Sequence, residues 1–165
     1  MRADLRRDGG FGLVELLISM TMLNIGLLAV VAAFSSGIVS LNRASRITTA
    51  AVLADGQMEL YRAITYNAIQ LDASTIPSVT PYTTDTAYSA SQVTGTCTGS
   101  PPECNAARQA TGPDNKSYRI DTYIVSVTPT GGRPVKKVTV VVRDYNNLTV
   151  TYARQISTFD QSTGQ

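Results

Sequence analysis

Residues 11–34, FGLVELLISMTMLNIGLLAVVAAF, decide the fold because they form one long and mainly apolar run. A transmembrane helix needs about 20 such residues at a rise of about 1.5 Å each, so this run is long enough to span a bilayer. Glu15 is its only formal charge. A charged side chain at the centre of a bilayer costs about 2.5–3.5 kcal/mol on insertion scales, and less near the interface. The run therefore predicts a membrane helix with one carboxylate near its end that needs an explanation.

The flanking charges favour a cytoplasmic N-terminus for this helix. Positive residues precede the apolar run at Arg2, Arg6 and Arg7 and follow it at Arg43 and Arg46, and the excess of positive charge marks the cytoplasmic side. A secretory signal peptide is one alternative, but the run is longer than an ordinary signal core and continues into helix-compatible sequence. A plain membrane anchor is another alternative, and it leaves the carboxylate unexplained.

A free α-amino group would be a suitable partner for the carboxylate, and the sequence indicates where one could arise. Gly9 and Gly10 form a flexible site without side chains immediately before the bulky Phe11, which suits the cleft of a protease. Cleavage after Gly10 makes Phe11 the N-terminus and places Glu15 one helical turn into the new chain. There the helix dipole and the unpaired N–H groups of the first turn favour an anion.

These residues resemble the prepilin cleavage and methylation motif of type IV pilins and of type II secretion pseudopilins. The resemblance is carried by Arg7, Gly10, Phe11, Leu13, Val14 and Glu15, inside a basic leader and ahead of a long apolar helix. The family usually has Phe-Thr-Leu-Ile-Glu after the glycine, whereas this chain has Phe-Gly-Leu-Val-Glu, with Gly12 in place of the threonine. The resemblance is strong over residues 1–40, looser to about residue 70, and architectural beyond that.

The resemblance implies that a prepilin peptidase cleaves between Gly10 and Phe11 and methylates the new amine of Phe11. Glu15 would then contact the Phe11 amine of a neighbouring subunit during assembly. The implied partners are other pilin subunits, the prepilin peptidase, an inner-membrane assembly platform and, before assembly, membrane lipid. The chain is expected first in the inner membrane, as a single-pass protein with a cytoplasmic N-terminus, and later in an extracellular or periplasmic filament.

The sequence beyond the membrane segment predicts an α+β head. After the leader (1–10) and the membrane segment (11–34), residues 35–71 are predicted to continue the helix as an amphipathic segment. Its apolar stripe at helical spacing comprises Ile47, Ala51, Ala54, Met58, Tyr61 and Thr65. Residues 72–116 are rich in Ser, Thr, Pro, Ala and Gly, and are predicted as a long surface loop in which a short hairpin can form.

Residues 117–158 are predicted to form an antiparallel meander. Its strands are SYRIDTYIVSVT from Ser117, VKKVTVVVRDY from Val135 and LTVTYARQI from Leu148, joined by the turn sequences PTGGRP and NN. One face is predicted to pack on the helix and the other to face solvent, and residues 159–165 are predicted to be a tail. The predicted fold is α+β and pilin-like, with a long N-terminal helix, transmembrane in its N-terminal half, packed on a small antiparallel sheet of three or four strands.

Two cysteines, Cys97 and Cys104, end the short sequence CTGSPPEC inside the long loop. Their spacing fits neither a zinc site nor a CxxC redox motif, and a disulfide persists in an extracytoplasmic domain. We therefore predict a disulfide that shapes the tip of the loop. Two free thiols in a cytosolic loop are the alternative.

The sequence shows no recognisable catalytic or metal-binding set. It contains no histidine, the commonest general base and metal ligand, and neither a phosphate-binding glycine loop nor a spaced acidic motif. We expect no enzyme activity, no cofactor and no metal site. Arg133, Lys136, Lys137 and Arg143 form a weak basic cluster on the predicted sheet. Phosphate contact with DNA is one interpretation of this cluster, and a solvated face is the favoured one.

A structural role is the leading functional prediction. The features indicate a type IV pilus subunit, most like a minor pilin, because no proline interrupts the predicted helix whereas many major pilins carry one in this segment. A pseudopilin of type II secretion or of a competence system is the nearest alternative. A single-pass membrane-anchored binding module is the third.

Overall fold

The computed structural model describes residues 12–99 and 101–161. One helix, α1, comprises Leu13–Arg62. The strands in chain order are β1 (Leu71–Asp72), β2 (Thr94–Gly95), β3 (Ala107–Thr111), β4 (Ser117–Val127), β5 (Val135–Asp144) and β6 (Thr151–Phe159). Single turns of 3-10 helix at Tyr66–Ala68 and Ala73–Thr75 lie on either side of β1. The predicted leader and Phe11 lie outside the described residues.

The chain divides into two compact units between Arg43 and Ala44. In the first unit, the described part of α1 is apolar, exposed throughout, and long enough to cross a membrane. The second unit, called the head below, contains the rest of α1 and the six strands.

The head is built on a four-stranded antiparallel sheet in the order β3-β4-β5-β6. β4 and β5 pair along almost their whole length, from Tyr118 opposite Asp144 to Val127 opposite Val135. β1 and β2 form a separate, short parallel pair. The predicted α+β arrangement of a long helix on a small antiparallel sheet is confirmed.

One face of the sheet, the helix face, packs against the C-terminal part of α1. Alternate residues of β4 and β5 are buried there: Tyr118, Ile120, Thr122, Ile124, Val138, Val140 and Val142. The buried stripe of α1 that meets them includes Ala54, Met58 and Tyr61, as predicted. It is rotated slightly from the predicted stripe, because Ile47 is 44% exposed. Ala50 lies in the core in place of Ala51, so that a small residue allows close approach of helix and sheet.

The helix ends earlier than predicted, at Arg62 rather than near residue 66 or 71. Thr65 has an extended backbone, with ψ of 152°, and the chain then turns so that Ile69 enters the core. Lys136 of β5 donates from Nζ to the carbonyl oxygens of Tyr66 and Ile69, at 2.7 and 2.8 Å. A donor distant in sequence thus satisfies carbonyl groups that a longer helix would have paired internally.

The second face of the sheet does not face solvent, and that prediction was wrong. Residues 78–93, called the strap below, cover this second face, which we name the strap face. The ring of Tyr82 is fully buried and stacks on Tyr123 with 4.4 Å between ring centroids. The Tyr82 hydroxyl donates to the carbonyl oxygen of Thr122 at 2.7 Å, and the Val93 N–H donates to that of Ile124 at 2.8 Å. A segment of mainly polar composition is therefore part of the folded head.

Three further predicted boundaries differ from the structure. The predicted loop 72–116 contains β3, whose partner is β4 rather than a strand of the loop itself. β6 begins at Thr151 instead of Leu148, because the carboxylate of Asp144 accepts the N–H groups of residues 146 and 147 and so forms the preceding turn. Phe159, predicted in the tail, ends β6 opposite Lys136 and packs against the core.

Candidate functional site

Glu15 lies in the first turn of α1, at the N-terminal end of the described helix. The backbone N–H groups of Glu15 and Leu16 donate to the carbonyl oxygen of Gly12 at 2.9 and 3.2 Å. The residue is exposed, and within residues 12–99 and 101–161 its carboxylate has neither an ion-pair nor a hydrogen-bond partner. The positive end of the helix dipole favours a negative charge at this place. The carboxylate is thus exposed at the end of the helix that attracts a negative charge.

The surface around Glu15 is apolar along the first unit. Leu13, Leu23 and Leu28 are 78%, 65% and 70% exposed, which is far more apolar exposure than a soluble monomer normally carries in one patch. The hydroxyl groups of Ser19 and Ser35 donate back to carbonyl oxygens one turn earlier, at 2.8 and 3.0 Å. Such internal bonds satisfy the small polar residues inside an apolar environment. The segment therefore suits lipid or the apolar surface of other helices.

A shallow apolar groove follows the same surface nearer the head. It is lined by Val30, Ala33, Phe34, Gly37, Ile38 and Leu41. No atom lies within 4 Å of the position that a Cβ would occupy at Gly37, so this glycine opens the surface without being required by close packing. The groove belongs to the apolar helix surface already described.

The strap is held to the sheet by a buried charge network centred on Arg143. The Arg143 side chain is 5% exposed, and its Nε donates to Oδ2 of Asp121 at 3.0 Å. Its Nη1 donates to Oγ1 of Thr151 at 3.0 Å, and its Nη2 pairs with the carboxylate of Asp85 in the strap. Asp85 also accepts two hydrogen bonds from Nη2 of Arg154, at 2.9 and 2.8 Å. One strap carboxylate thus joins the last two strands of the sheet.

The two acids of the network differ in protonation behaviour. Burial raises the pKa of Asp121, and the neighbouring Arg119 and Arg143 oppose this only in part. Burial acts in the same direction on Asp85, but the N–H of Ala87 and the guanidinium of Arg154 outweigh it and hold the pKa of Asp85 below its usual range. Asp85 therefore stays ionised into the acid range, and this charge holds the strap.

A second charged contact lies where α1 enters the head. Nη1 of Arg46 donates to Oδ2 of Asp144 and to the hydroxyl oxygen of Tyr152, both at 2.9 Å. The Tyr152 hydroxyl donates to the same carboxylate oxygen at 2.9 Å. This triad fixes the first turn of α1 in the head against the end of the sheet.

Two members of the predicted basic cluster, Lys136 and Arg143, are bound inside the head. Arg143 is buried in its ion pairs, and Lys136 donates to two backbone carbonyls and lies 4.6 Å from the ring centroid of Tyr66. Lys136 and Arg143 also belong to opposite faces of β5, since one is even-numbered and the other odd-numbered. The favoured interpretation, a solvated face, is therefore wrong for these two residues.

Cys97 and Cys104 are joined by a disulfide. Cys104 is 6% exposed, and its carbonyl oxygen accepts the N–H of Asp72 at 2.9 Å. From α1, the Tyr61 hydroxyl and Nε2 of Gln57 donate to the two carbonyl oxygens that precede Cys104. Burial raises the pKa of Tyr61 to about 12, so the hydroxyl remains a donor. The disulfide therefore joins Cys97 of the loop to Cys104, which is held in the core of the head.

Sequence reasoning missed the strap, including Tyr82 and Asp85. The strap had one local signal, a pair of tyrosines, Tyr82 and Tyr88, in a stretch otherwise rich in Ser and Thr. Tyrosines indicate burial because aromatic side chains bury a large apolar area.

In the described part of the chain, no group of three His, Cys, Asp or Glu residues is placed to hold a metal ion.

A comparison with protein families matches residues 5–31 to the family described as the prokaryotic N-terminal methylation motif. The matched range contains Glu15 and the first part of α1, and proteins with this motif are structural rather than enzymatic. Searches of curated proteins and of solved structures found no match to the chain. The motif implies cleavage by a prepilin peptidase and assembly with other subunits. The chain thus carries, on a pilin-like α+β fold, the N-terminal signature of type IV pilins and pseudopilins.

Proposed function

We propose that the chain is a type IV pilus subunit of the minor pilin class, held in the inner membrane by α1 and then extracted into a filament. The observation that carries the proposal is Glu15, which is exposed and without a partner among the described residues at the start of a helix with unburied apolar side chains. Lipid accommodates the apolar side chains before assembly, and the helices of other subunits accommodate them afterwards.

The proposed processing creates the missing cation. Cleavage between Gly10 and Phe11, followed by methylation of the Phe11 amine, gives an N-terminus with a positive charge. In a filament, Glu15 of one subunit would pair with this amine on its neighbour. A carboxylate that stays unpaired in an apolar interface is strongly penalised. The pair would therefore set the axial register of the subunits.

The substitution Glu15→Ala tests this role. Cleavage is expected to remain intact, while the amount of the variant in sheared filaments falls by about tenfold or more, since a hydrogen bond to a charged group contributes about 1.5–3 kcal/mol. Glu59→Ala removes an exposed carboxylate from the head part of the same helix and serves as the matched control. Normal incorporation of Glu15→Ala would count against the register role.

The assignment to a minor pilin is supported by the helix itself. The sequence of Leu13–Arg62 contains no proline, whereas many major pilins have one in this segment. The matched motif is shared with pseudopilins, so a type II secretion or competence pseudopilin is the second candidate. The neighbouring genes separate the two, because pilus retraction components accompany one system and a secretin-linked secretion operon accompanies the other.

A further inference from the structure

A pocket of about 360 Å³ opens on the strap face, beside the strap. It is lined by Pro77, Ala107, Arg108, Gln109, Arg119 and Tyr145. Arg119 lies on the same face of β4 as Tyr123, which stacks on the strap, because the two residues are an even number of positions apart. Gln109 of β3 is paired with Arg119. The volume lies within the range of about 300–1,000 Å³ that is common for ligand pockets, so the pocket is large enough to hold a chemical group of a ligand.

The described residues that line this pocket offer hydrogen-bond donors but no carboxylate. The Arg119 side chain is 15% exposed, and its Nε donates to Oδ1 of Asp121 at 2.8 Å. Its two Nη groups have no partner within residues 12–99 and 101–161. The hydroxyl of Tyr145, a residue that is 45% exposed, has no partner in those ranges either. A guanidinium with both Nη groups free presents a planar fork that can bind a carboxylate through two parallel hydrogen bonds.

The charge network under the strap ends in a cation at this pocket. Its groups alternate, each bonded to the next, in the order Arg119, Asp121, Arg143, Asp85 and Arg154. The row contains three guanidinium groups and two carboxylates, so it carries one net positive charge. Arg108 adds a further positive charge that forms no ion pair in the described part of the chain, since its Nε donates to the neutral Gln57. An anion in the pocket would therefore meet an excess of positive charge.

Backbone groups at the rim of the pocket favour a peptide as the source of the anion. Just after β3, the N–H of Gly112 donates to the carbonyl oxygen of Lys116, towards β4. Because this direction alternates along an antiparallel strand, Gln109 directs its N–H and C=O away from the sheet. An extended peptide can bond to both of these groups, whereas an inorganic anion can use only the donor. The apolar surfaces of Pro77 and Ala107 suit the carbon atoms of a side chain.

We propose that this pocket binds the carboxylate of an acidic side chain on an extended segment of a different protein. The carboxylate accepts hydrogen bonds from the Nη groups of Arg119, and the backbone of the segment bonds to Gln109. A second copy of this chain is a poor source, because the described strands contain three acids, Asp72, Asp121 and Asp144, and each is bonded inside its own head. The inference goes beyond the proposed function, since it names the chemistry of a partner and does not require assembly into a filament.

Fluorescence anisotropy with a labelled peptide tests the site in the full chain in non-ionic detergent. The probe is the peptide Thr-Val-Glu-Val-Thr with capped ends and a neutral dye, and the matched control peptide has Gln in place of Glu. The acidic peptide is expected to bind about tenfold more tightly or better, because the control keeps the backbone and loses only the charged acceptor. Equal affinities for the two peptides, or no binding of either, would overturn the proposal.

Substitutions in the chain locate the binding. Arg119→Gln removes the fork and is expected to weaken binding of the acidic peptide by about tenfold or more. Arg133→Gln removes the same charge from an exposed turn outside the pocket and serves as the matched control. Because Arg119 also pairs with the buried Asp121, a second variant, Gln109→Glu, replaces Arg119→Gln if that variant does not fold. It places a carboxylate opposite Arg119 on the exposed side of β3, and is expected to abolish binding of the acidic peptide, because the chain itself then supplies the anion.

The outcomes separate this site from the proposed function. Unchanged binding in Gln109→Glu, or an equal loss in Arg119→Gln and Arg133→Gln, would overturn the pocket as the binding site. Glutarate, a free dicarboxylate, tests the role of the peptide backbone. If it displaced the probe at the same concentration as the unlabelled peptide, a peptide would be overturned as the ligand. All of these measurements use the unassembled chain, so a failure of filament assembly would refute the proposed function and leave the site intact, and a failure of peptide binding would do the reverse.

Discussion

Asp85→Asn is expected to loosen the strap and to lower the free energy of unfolding of the head by about 3 kcal/mol. Asp85 binds Arg143 and Arg154 at the same time, and it is the strap's only ionic contact with Arg143 among the described residues. Asparagine has nearly the same size and keeps an oxygen that can accept the N–H of Ala87, which Asp85 accepts at 2.9 Å. The substitution therefore removes the charge with little other change.

The magnitude follows from the burial of the two arginines. Removing one partner of a buried ion pair costs about 3–5 kcal/mol, and the lower value applies because Arg143 keeps its bonds to Asp121 and Thr151. The Arg154 side chain is 35% exposed, so its pair with Asp85 adds about 0–1 kcal/mol. A loss of about 3 kcal/mol changes the unfolding equilibrium by about 100-fold.

Urea unfolding of the full chain in detergent measures this loss. Near-UV circular dichroism of the tyrosines is a suitable signal, because the chain has no tryptophan and Tyr82 stacks on Tyr123 in the contact under test. Glu59→Gln is the control, since its pair with Arg62 is exposed on both sides and is expected to contribute about 0.5 kcal/mol or less. If Asp85→Asn unfolded like this control, the strap would not be held by its charge, and the reasoning would be refuted.

Other expected outcomes concern pH, the disulfide and one glycine. Because the pKa of Asp85 is lowered in the folded state, its stabilising contribution is present above its unfolded pKa and is lost as the pH falls through the folded pKa. Urea unfolding at a series of pH values should therefore show that the difference in free energy of unfolding between wild type and Asp85→Asn shrinks in that acid range. A difference that stayed constant with pH would contradict this. Replacing Cys97 and Cys104 together by serine should lower the free energy of unfolding by about 2.5 kcal/mol, from the entropy of so short a closed loop, without changing amide exchange in β4 and β5; loss of protection there would show a wider role. Gly112→Ala should destabilise the head by about 1–3 kcal/mol in thermal unfolding, since its Cβ would lie 2.4 Å from a threonine methyl carbon of α1. Gly56→Ala, with no atom within 4 Å of the new Cβ, should be neutral or stabilising, and equal effects of the two would contradict the packing argument.

The elements with local signals could be predicted from the sequence. The first part of α1 is apolar over a length that could cross a bilayer, and that property is visible without any knowledge of the head. The alternation in β4 and β5 is similarly local, and Ile120, Val138 and Val140 are buried as their spacing indicates. Glu15 was identifiable because a carboxylate is rare inside an apolar run.

The strap and the register of β6 depend on contacts that no local pattern contains. Asp85 and Arg143 are 58 positions apart, and the polar sequence around Asp85 is also typical of a solvated loop. The irregularity in pairing between Val142 and Arg143 shifts the register of β6. In a regular strand Ile156 would lie on the same face as Tyr152, but it is 58% exposed. Such shifts are decided by the assembled sheet rather than by the strand itself.

Under the proposed function, a carboxylate is tolerated in the apolar helix because proteolysis supplies a cationic chain end for it to meet. Mass spectrometry of the N-terminal peptide, taken from the protein in assembled filaments, tests this claim most directly. A peptide that begins with N-methylated Phe11 is the predicted result. Filaments whose subunits still begin at Met1 would contradict the claim.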